Sequence, residues 1–140
     1  MHQAVTILSI ETASQVCSVA LYRDGVLLGH SELNIENAHG AKLLRLIEGL
    51  FSELSMNIAQ IQAVAVSAGP GSYTGLRIGV STAKGICFAQ DIPLIGVDTL
   101  EAMACQVTKS VDPVSYIIPM LDARRKEVYT AVFGSDGGVL

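Results

Sequence analysis

Apolar positions along the chain recur with two different periods, and the first period, alternation, predicts strands. Val5 to Ile10 and Val16 to Tyr22 are runs rich in β-forming residues. Asp24-Gly25 follows the second run and is typical of a tight hairpin turn. A third run, Val26 to Leu33, comes directly after that turn. The pattern predicts three consecutive antiparallel strands.

From about Ala38 to Leu54 the spacing of apolar residues becomes helical. The stripe recurs three or four positions apart, with charged residues between its members, at Leu43, Leu46, Ile47, Leu50 and Leu54. Strands and helices then alternate in the order strand, helix, strand, helix, over Ile61–Ser67, Thr74–Ala89, Pro93–Val97 and Thr99–Val107. The order βββαβαβα predicts an α/β fold in which an antiparallel meander joins parallel strands in one mixed sheet.

The last thirty residues match the first strands when residue n is compared with residue n + 111. Ile7–Thr12 then aligns with Ile118–Ala123, and Cys17–Tyr22 aligns with Val128–Phe133. Chance similarity between two hairpins is one explanation, and a duplicated fold is the other. The second explanation divides the chain into a lobe at 1–110 and the first hairpin of a second, incomplete lobe at 111–140.

Composition narrows the classes of protein that remain. Half of the 140 residues are hydrophobic and 16% are charged, which excludes a disordered chain. The net charge is −4, and the longest basic cluster is Arg124-Arg125-Lys126, so strong tRNA binding by this chain alone is not expected. Three cysteines without a CxxC pair indicate reduced thiols. With no signal peptide or membrane span predicted, we expect a cytoplasmic protein.

The glycine-rich segment from Ser67 to Gly79 joins a predicted strand to a predicted helix. Gly69 and Gly71 permit backbone angles that other residues avoid, and Ser72 or Thr74 can cap the helix. Free N–H groups at such a helix start can bind an anion, although the segment lacks the Gly-Lys-Ser/Thr ending of a P-loop. An ordinary strand-to-helix turn explains the same residues equally well.

Two acidic corners could contribute to a nucleotide site. Glu11 and Thr12 follow the first strand, and Asp122 holds the position equivalent to Glu11 in the 111-residue repeat. Carboxylates at such corners could hold a phosphate with the help of a metal, but a plain hairpin corner is the simpler interpretation. The sequence shows no convincing nucleophile, no Ser/His/Asp set and no paired histidines of a metal site.

A face of small residues runs along the second predicted helix. Gly75, Gly79 and Ala83 lie four residues apart, so they share one side. Each interior glycine costs a helix about 1 kcal/mol relative to alanine. Close approach of another backbone would compensate this cost, and the approaching element is either the sheet of the same domain or a second chain.

The segment Gly69–Gly79 resembles the signature of the TsaB (YeaZ) family. Further segments agree with that family in order and spacing, namely Ile10–Ala13 with Cys17–Leu21, Gly96–Leu100, and Leu121–Arg124 with Glu127–Tyr129. The resemblance covers nearly the whole chain. It implies an actin-like (ASKHA, RNase H-like) lobe, related to TsaD and to peptidase M22-like proteins, in a superfamily that duplicates one αβ lobe.

The resemblance also implies a function. TsaB proteins are non-catalytic partners of TsaD, the transferase that forms N6-threonylcarbamoyladenosine (t6A) at position 37 of tRNA, together with the ATPase TsaE. The family implies homodimers and TsaD heterodimers, tRNA contact only through partners, and ATP with Mg²⁺ only in the complex. The dimer face would lie on the first two helices, at Leu43, Leu46, Ile47, Leu50, Gly75, Arg77, Gly79 and Ala83. On this interpretation Gly79→Leu would abolish assembly and leave the fold intact.

Departures from TsaD-type relatives indicate that this chain is not the transferase itself. Those relatives carry two metal-binding histidines four residues apart, and Thr99 and Met103 stand at the matching positions here. Neither residue is a ligand for iron or zinc in a site of that type. The alternative function is an actin-like enzyme that binds and hydrolyses ATP, with Glu11, Thr12, Gly69, Gly71, Ser72 and Asp122 as the nucleotide site.

Overall fold

The computed structural model describes residues 4–34 and 39–140, and they form a mixed α/β fold. Three strands come first and are followed by alternating helices and strands, then by four short strands near the end of the chain. The elements are β1 Thr6–Glu11, β2 Val16–Arg23, β3 Val26–Asn34, α1 His39–Glu53, β4 Ala63–Gly69, α2 Tyr73–Gln90, β5 Leu94–Asp98, α3 Thr99–Cys105, β6 Tyr116–Ile117, β7 Met120–Arg124, β8 Glu127–Thr130 and β9 Phe133–Gly134. The expected helix start at Ala38 lies outside the described residues.

The main sheet has five strands in the order β3-β2-β1-β4-β5. β1 pairs antiparallel with β2, and β2 pairs antiparallel with β3, while β1–β4 and β4–β5 are parallel pairs. The turn between β2 and β3 is Asp24-Gly25, whose φ angles of 50° and 79° are those of a tight hairpin turn. A mixed sheet in a mixed α/β fold was predicted, and that prediction is confirmed.

The main core lies between the sheet and the pair α1 and α2. Alternate residues of β1 and β2 point into it, including Leu8, Val19 and Leu21, which are essentially without solvent exposure. The apolar stripe of α1 supplies the other side of this core, with Leu43, Leu46, Ile47 and Leu50 all at most 8% exposed. The periodic stripe is therefore the inward face of the helix.

The final thirty residues form an irregular hairpin that packs against α3. β7 pairs with β8 and β6 pairs with β9, and Pro119 interrupts the first arm because proline has no N–H to donate. Ile117 and Phe133 form a second buried cluster with Leu100 and Ala104 of α3. The paired strands β6 and β9 therefore bury their apolar side chains against α3 of the same chain.

Phe133 should be the main anchor of this hairpin, because it is 1% exposed and belongs to the second cluster. We expect Phe133→Ala to lower the free energy of unfolding by about 3 kcal/mol or more through the cavity it leaves. Val114→Ala is the control, since Val114 is 86% exposed, and its effect should stay within about 0.5 kcal/mol. Urea denaturation measures both. Equal effects of the two substitutions would show that the hairpin is not anchored in this way.

Candidate functional site

The glycine-rich segment folds around the turn that follows β1. Thr12 is fully buried, and its hydroxyl donates a hydrogen bond of 2.8 Å to the carbonyl of Gly75 in the first turn of α2. The backbone N–H of Ser72 donates to the carbonyl of Ala13 at 2.7 Å. The Thr12-Ala13 turn is therefore held by α2 and by the residues just before it.

Three glycines of the signature leave room for this turn. A Cβ atom at Gly71 would lie 2.5 Å from the carbonyl oxygen of Ala13. Cβ atoms at Gly75 and Gly79 would overlap the carbonyl oxygen and the hydroxyl of Thr12, respectively. Real Cβ atoms essentially never come within 3.0 Å of such atoms. The glycines are required here by close packing within one chain.

This geometry corrects the expected interface. Gly75, Gly79 and Ala83 are buried against the Thr12 turn and the core, so no partner helix can lie on them in this conformation. Leu43, Leu46, Ile47 and Leu50 face the same core and are unavailable for the same reason. Gly79→Leu would consequently damage the fold, contrary to the expectation that it would leave the fold intact. Arg77 alone among the expected interface residues is exposed.

The six residues expected to bind nucleotide or anion separate into two groups. Gly71, Ser72 and Asp122 line an open cleft of about 1070 Å³ between the β1–β2 turn, the start of α2 and the β7–β8 hairpin. Glu11, Thr12 and Gly69 do not line this cleft. Gly69 has φ +112°, a value that favours glycine, and it ends β4.

Glu11 is held by two hydrogen bonds within the chain. One carboxylate oxygen accepts from the backbone N–H of Ala13, and the other accepts from the hydroxyl of Ser67. Cys17 is buried nearby, and its burial together with the Glu11 carboxylate raises the pKa of its thiol. A raised pKa disfavours the thiolate, so Cys17 is poorly suited to act as a nucleophile.

Ser72 caps α2, as the sequence allowed. Its hydroxyl accepts a 3.2 Å hydrogen bond from the backbone N–H of Gly75. Asp122 accepts a 2.7 Å hydrogen bond from the backbone N–H of Arg124. Glu11 and Ala13 make the same contact 111 residues earlier in the chain. Both carboxylates thus shape a turn beside the cleft.

The structure adds features that the sequence did not reveal. Ser67 as the partner of Glu11 and Thr12 as the partner of the glycines depend on contacts between distant segments. The guanidinium of Arg77 stacks over the ring of Tyr73 at 4.7 Å from its centroid, on the outer side of α2. Thr99 and Met103 stand where TsaD-type relatives carry metal-binding histidines. Thr99 is buried at the start of α3, and Met103 packs against the second cluster. No described helix is long and apolar enough to cross a membrane.

Comparison with known proteins identifies the family. The family model described as "TsaD: tRNA N6-adenosine threonylcarbamoyltransferase" matches residues 7–139. The chain belongs to this family.

Individual TsaD-family relatives support the resemblance to TsaB proteins. TsaB of Escherichia coli (strain K12) is 37% identical over 130 residues, which are 93% of this chain and 55% of that protein. TsaB of Bacillus subtilis (strain 168) is 32% identical over 136 residues, which are 97% and 58% of the two chains. The chain therefore spans about half the length of the curated relatives it matches. The predicted resemblance to TsaB is confirmed.

A solved structure shares the fold. YeaZ from Pseudomonas aeruginosa superposes with a TM-score of 0.85 at 28% identity, over 97% of this chain and 63% of that one. A second crystal structure, of a Pseudomonas aeruginosa protein with similarity to peptidase YEAZ, also gives a TM-score of 0.85, at 29% identity over 96% of this chain and 62% of that one. The mixed α/β fold described above is thus that of the YeaZ structures.

The clash between Gly79 and Thr12 makes a sharp prediction about stability. Gly79→Ala should lower the free energy of unfolding by about 1 to 3 kcal/mol, because its Cβ overlaps the Thr12 hydroxyl. Gly85→Ala on the same helix is the control, since a Cβ there meets nothing within 4 Å. That change should raise the free energy of unfolding by about 0.5 to 1 kcal/mol.

A double-mutant cycle tests the cause of this effect. Thr12→Ala removes the hydroxyl, so Gly79→Ala should cost about 1 kcal/mol less in that background than in the wild type. Gly75→Ala should not be rescued, because its Cβ meets the backbone carbonyl of Thr12, which every residue carries. Thermal or urea unfolding measures all variants. Additive effects of Thr12→Ala and Gly79→Ala would refute the proposed contact.

Proposed function

We propose that the chain acts in t6A biosynthesis as a non-catalytic partner of a TsaD-like transferase, with a TsaE-like ATPase as a further member of the assembly. The TsaB relatives carry this pathway in their names, and this is the observation that supports the proposal. Residues 1–110 would be an actin-like lobe, and 111–140 would begin a second one. The hydrogen bonds of Glu11 and Asp122 to equivalent backbone N–H groups support this duplication.

The outer surface of α1 and α2 is the surface that we assign to the partner. Both helices cover the same side of the sheet, and their outward residues include large apolar groups. Leu44 is 51% exposed, Tyr73 is 69% exposed and Phe88 is 92% exposed. Arg77 lies between Tyr73 and Phe88 on the outer stripe of α2, opposite the buried glycines. Exposed aromatic residues and arginine are the groups that most often dominate the energy of protein interfaces.

Arg77→Glu provides the test. The charge reversal removes the stack on Tyr73 on this surface, so the Kd for a TsaD-like protein should rise about 10-fold to 100-fold. Lys109→Glu, an exposed substitution outside this surface, should leave the Kd unchanged. Calorimetry measures binding, and unfolding curves verify that both variants fold. Wild-type affinity in Arg77→Glu would exclude this surface.

The same variants address self-association. The homodimer and the heterodimer would use one surface if Arg77→Glu weakens both. Sedimentation of the chain alone measures the first, and calorimetry measures the second.

An ATP-binding enzyme is the second candidate, and the cleft favours it. Ser72, Asp122 and Arg124 line this cleft between two similar turns. Against it, the Glu11 carboxylate is already engaged by Ser67 and Ala13. We expect no heat of binding when ATP and Mg²⁺ are added to the chain alone at millimolar concentration. Saturable binding that Ser72→Ala or Asp122→Asn weakens would favour the enzyme instead.

A further inference from the structure

The turn between β7 and β8 combines three adjacent positive charges. Arg124, Arg125 and Lys126 are all exposed, and they supply three of the nine Lys and Arg residues of an otherwise acidic chain. None of the side-chain hydrogen bonds found among residues 4–34 and 39–140 uses their charged groups. Within the described structure, these charged groups therefore have no hydrogen-bonding role in the fold.

The backbone of this turn is one that arginine and lysine adopt at a cost. The φ angles are 67° at Arg124, 53° at Arg125 and 66° at Lys126, all in the left-handed region. Arg124 pairs with Glu127, which leaves a two-residue loop with positive φ at both positions. Such loops favour Asn-Gly or Asp-Gly, and the turn between β2 and β3 uses Asp24-Gly25.

Strain and like charges thus coincide at one place, and this coincidence points to a ligand. Residues held in sparsely populated backbone regions cluster at functional sites. Arg124 lines the cleft together with Tyr129, a ring 42% exposed on the adjacent strand β8. In proteins that bind unpaired RNA, cationic side chains bind the phosphates and a neighbouring exposed aromatic ring stacks on the bases.

We propose that the basic turn Arg124–Lys126 contacts the phosphate backbone of an unpaired RNA segment, with a base against Tyr129. This inference rests on the proposed function for its identification of the RNA as tRNA. The contact is an auxiliary one: a chain of net charge −4 repels RNA at long range, so three cations give weak binding that salt weakens further.

The test replaces the two loop residues by residue types that adopt positive φ angles more readily. In the double variant Arg125→Asn, Lys126→Gly, two charges are lost and the residue types become those that the turn favours. Binding of labelled, unmodified tRNA to the full chain alone is followed by fluorescence anisotropy from low to moderate salt. We expect the association constant at low salt to fall about 10-fold. The slope of its logarithm against the logarithm of salt should decrease by about 1.4, or about 0.7 per cation removed.

The thermal midpoint separates a binding role from a structural one. The midpoint of the double variant should rise, because the left-handed backbone at these two positions is less strained with Asn and Gly than with Arg and Lys.

The control Lys42→Gln, Lys109→Gln changes the net charge equally at other sites and should leave tRNA binding unchanged. Tyr129→Ala should weaken binding, and Tyr129→Phe should retain it.

Three results would overturn the proposal. The first is that the wild type does not bind tRNA at low salt. The second is an equal loss of tRNA affinity in the turn variant and in the control, since this would show an effect of net charge alone. The third is unchanged tRNA binding with weaker binding of a TsaD-like protein, which would make the turn a protein contact. Because the assay needs no TsaD, it can succeed where the proposed partner function fails.

Discussion

The packing of the Thr12-Ala13 turn against the start of α2 is the contact on which the other features of the cleft depend. It joins the first strand to the helix that begins 61 residues after Thr12, and it fixes the position of two of the three segments that border the cleft. Thr12 contributes a buried hydrogen bond, which is worth about 1 kcal/mol net. The larger contribution is steric, since the helix can approach this closely only where it has no side chain.

This contact explains why the glycines are tolerated in α2. Two interior glycines cost the helix about 2 kcal/mol relative to alanine, and the close approach compensates by burying Thr12 completely. Gly85, which is exposed on the same helix, has open space around it and receives no such compensation. The same four-residue spacing places every small residue of this face inward. As a result, the polar and aromatic side chains, including Arg77 and Tyr73, lie on the outer surface.

Local periodicity predicted the elements well, because strands and helices depend on neighbouring residues. The mixed α/β fold and the Ser72 cap could be inferred for that reason. Periodicity shows that Leu43 to Leu50 form one side of a helix, but it contains no information about what that side contacts. In the same way, a glycine at position 79 indicates that another segment approaches the helix closely, but it does not identify that segment. Its partner, Thr12, lies 67 residues earlier in the chain, and only the fold brings them together.

The charge distribution of this acidic chain is compatible with the role in a tRNA pathway proposed above. Affinity for nucleic acid that depends on Lys and Arg contacts to phosphates falls steeply with salt, and the nine Lys and Arg residues here are largely dispersed. Only the β7–β8 turn brings three together. A partner that supplies most of the basic surface would let such a turn add a few contacts and orient the RNA. On this proposal the net charge of −4 would limit RNA binding by the free chain, and RNA binding would depend on assembly with that partner.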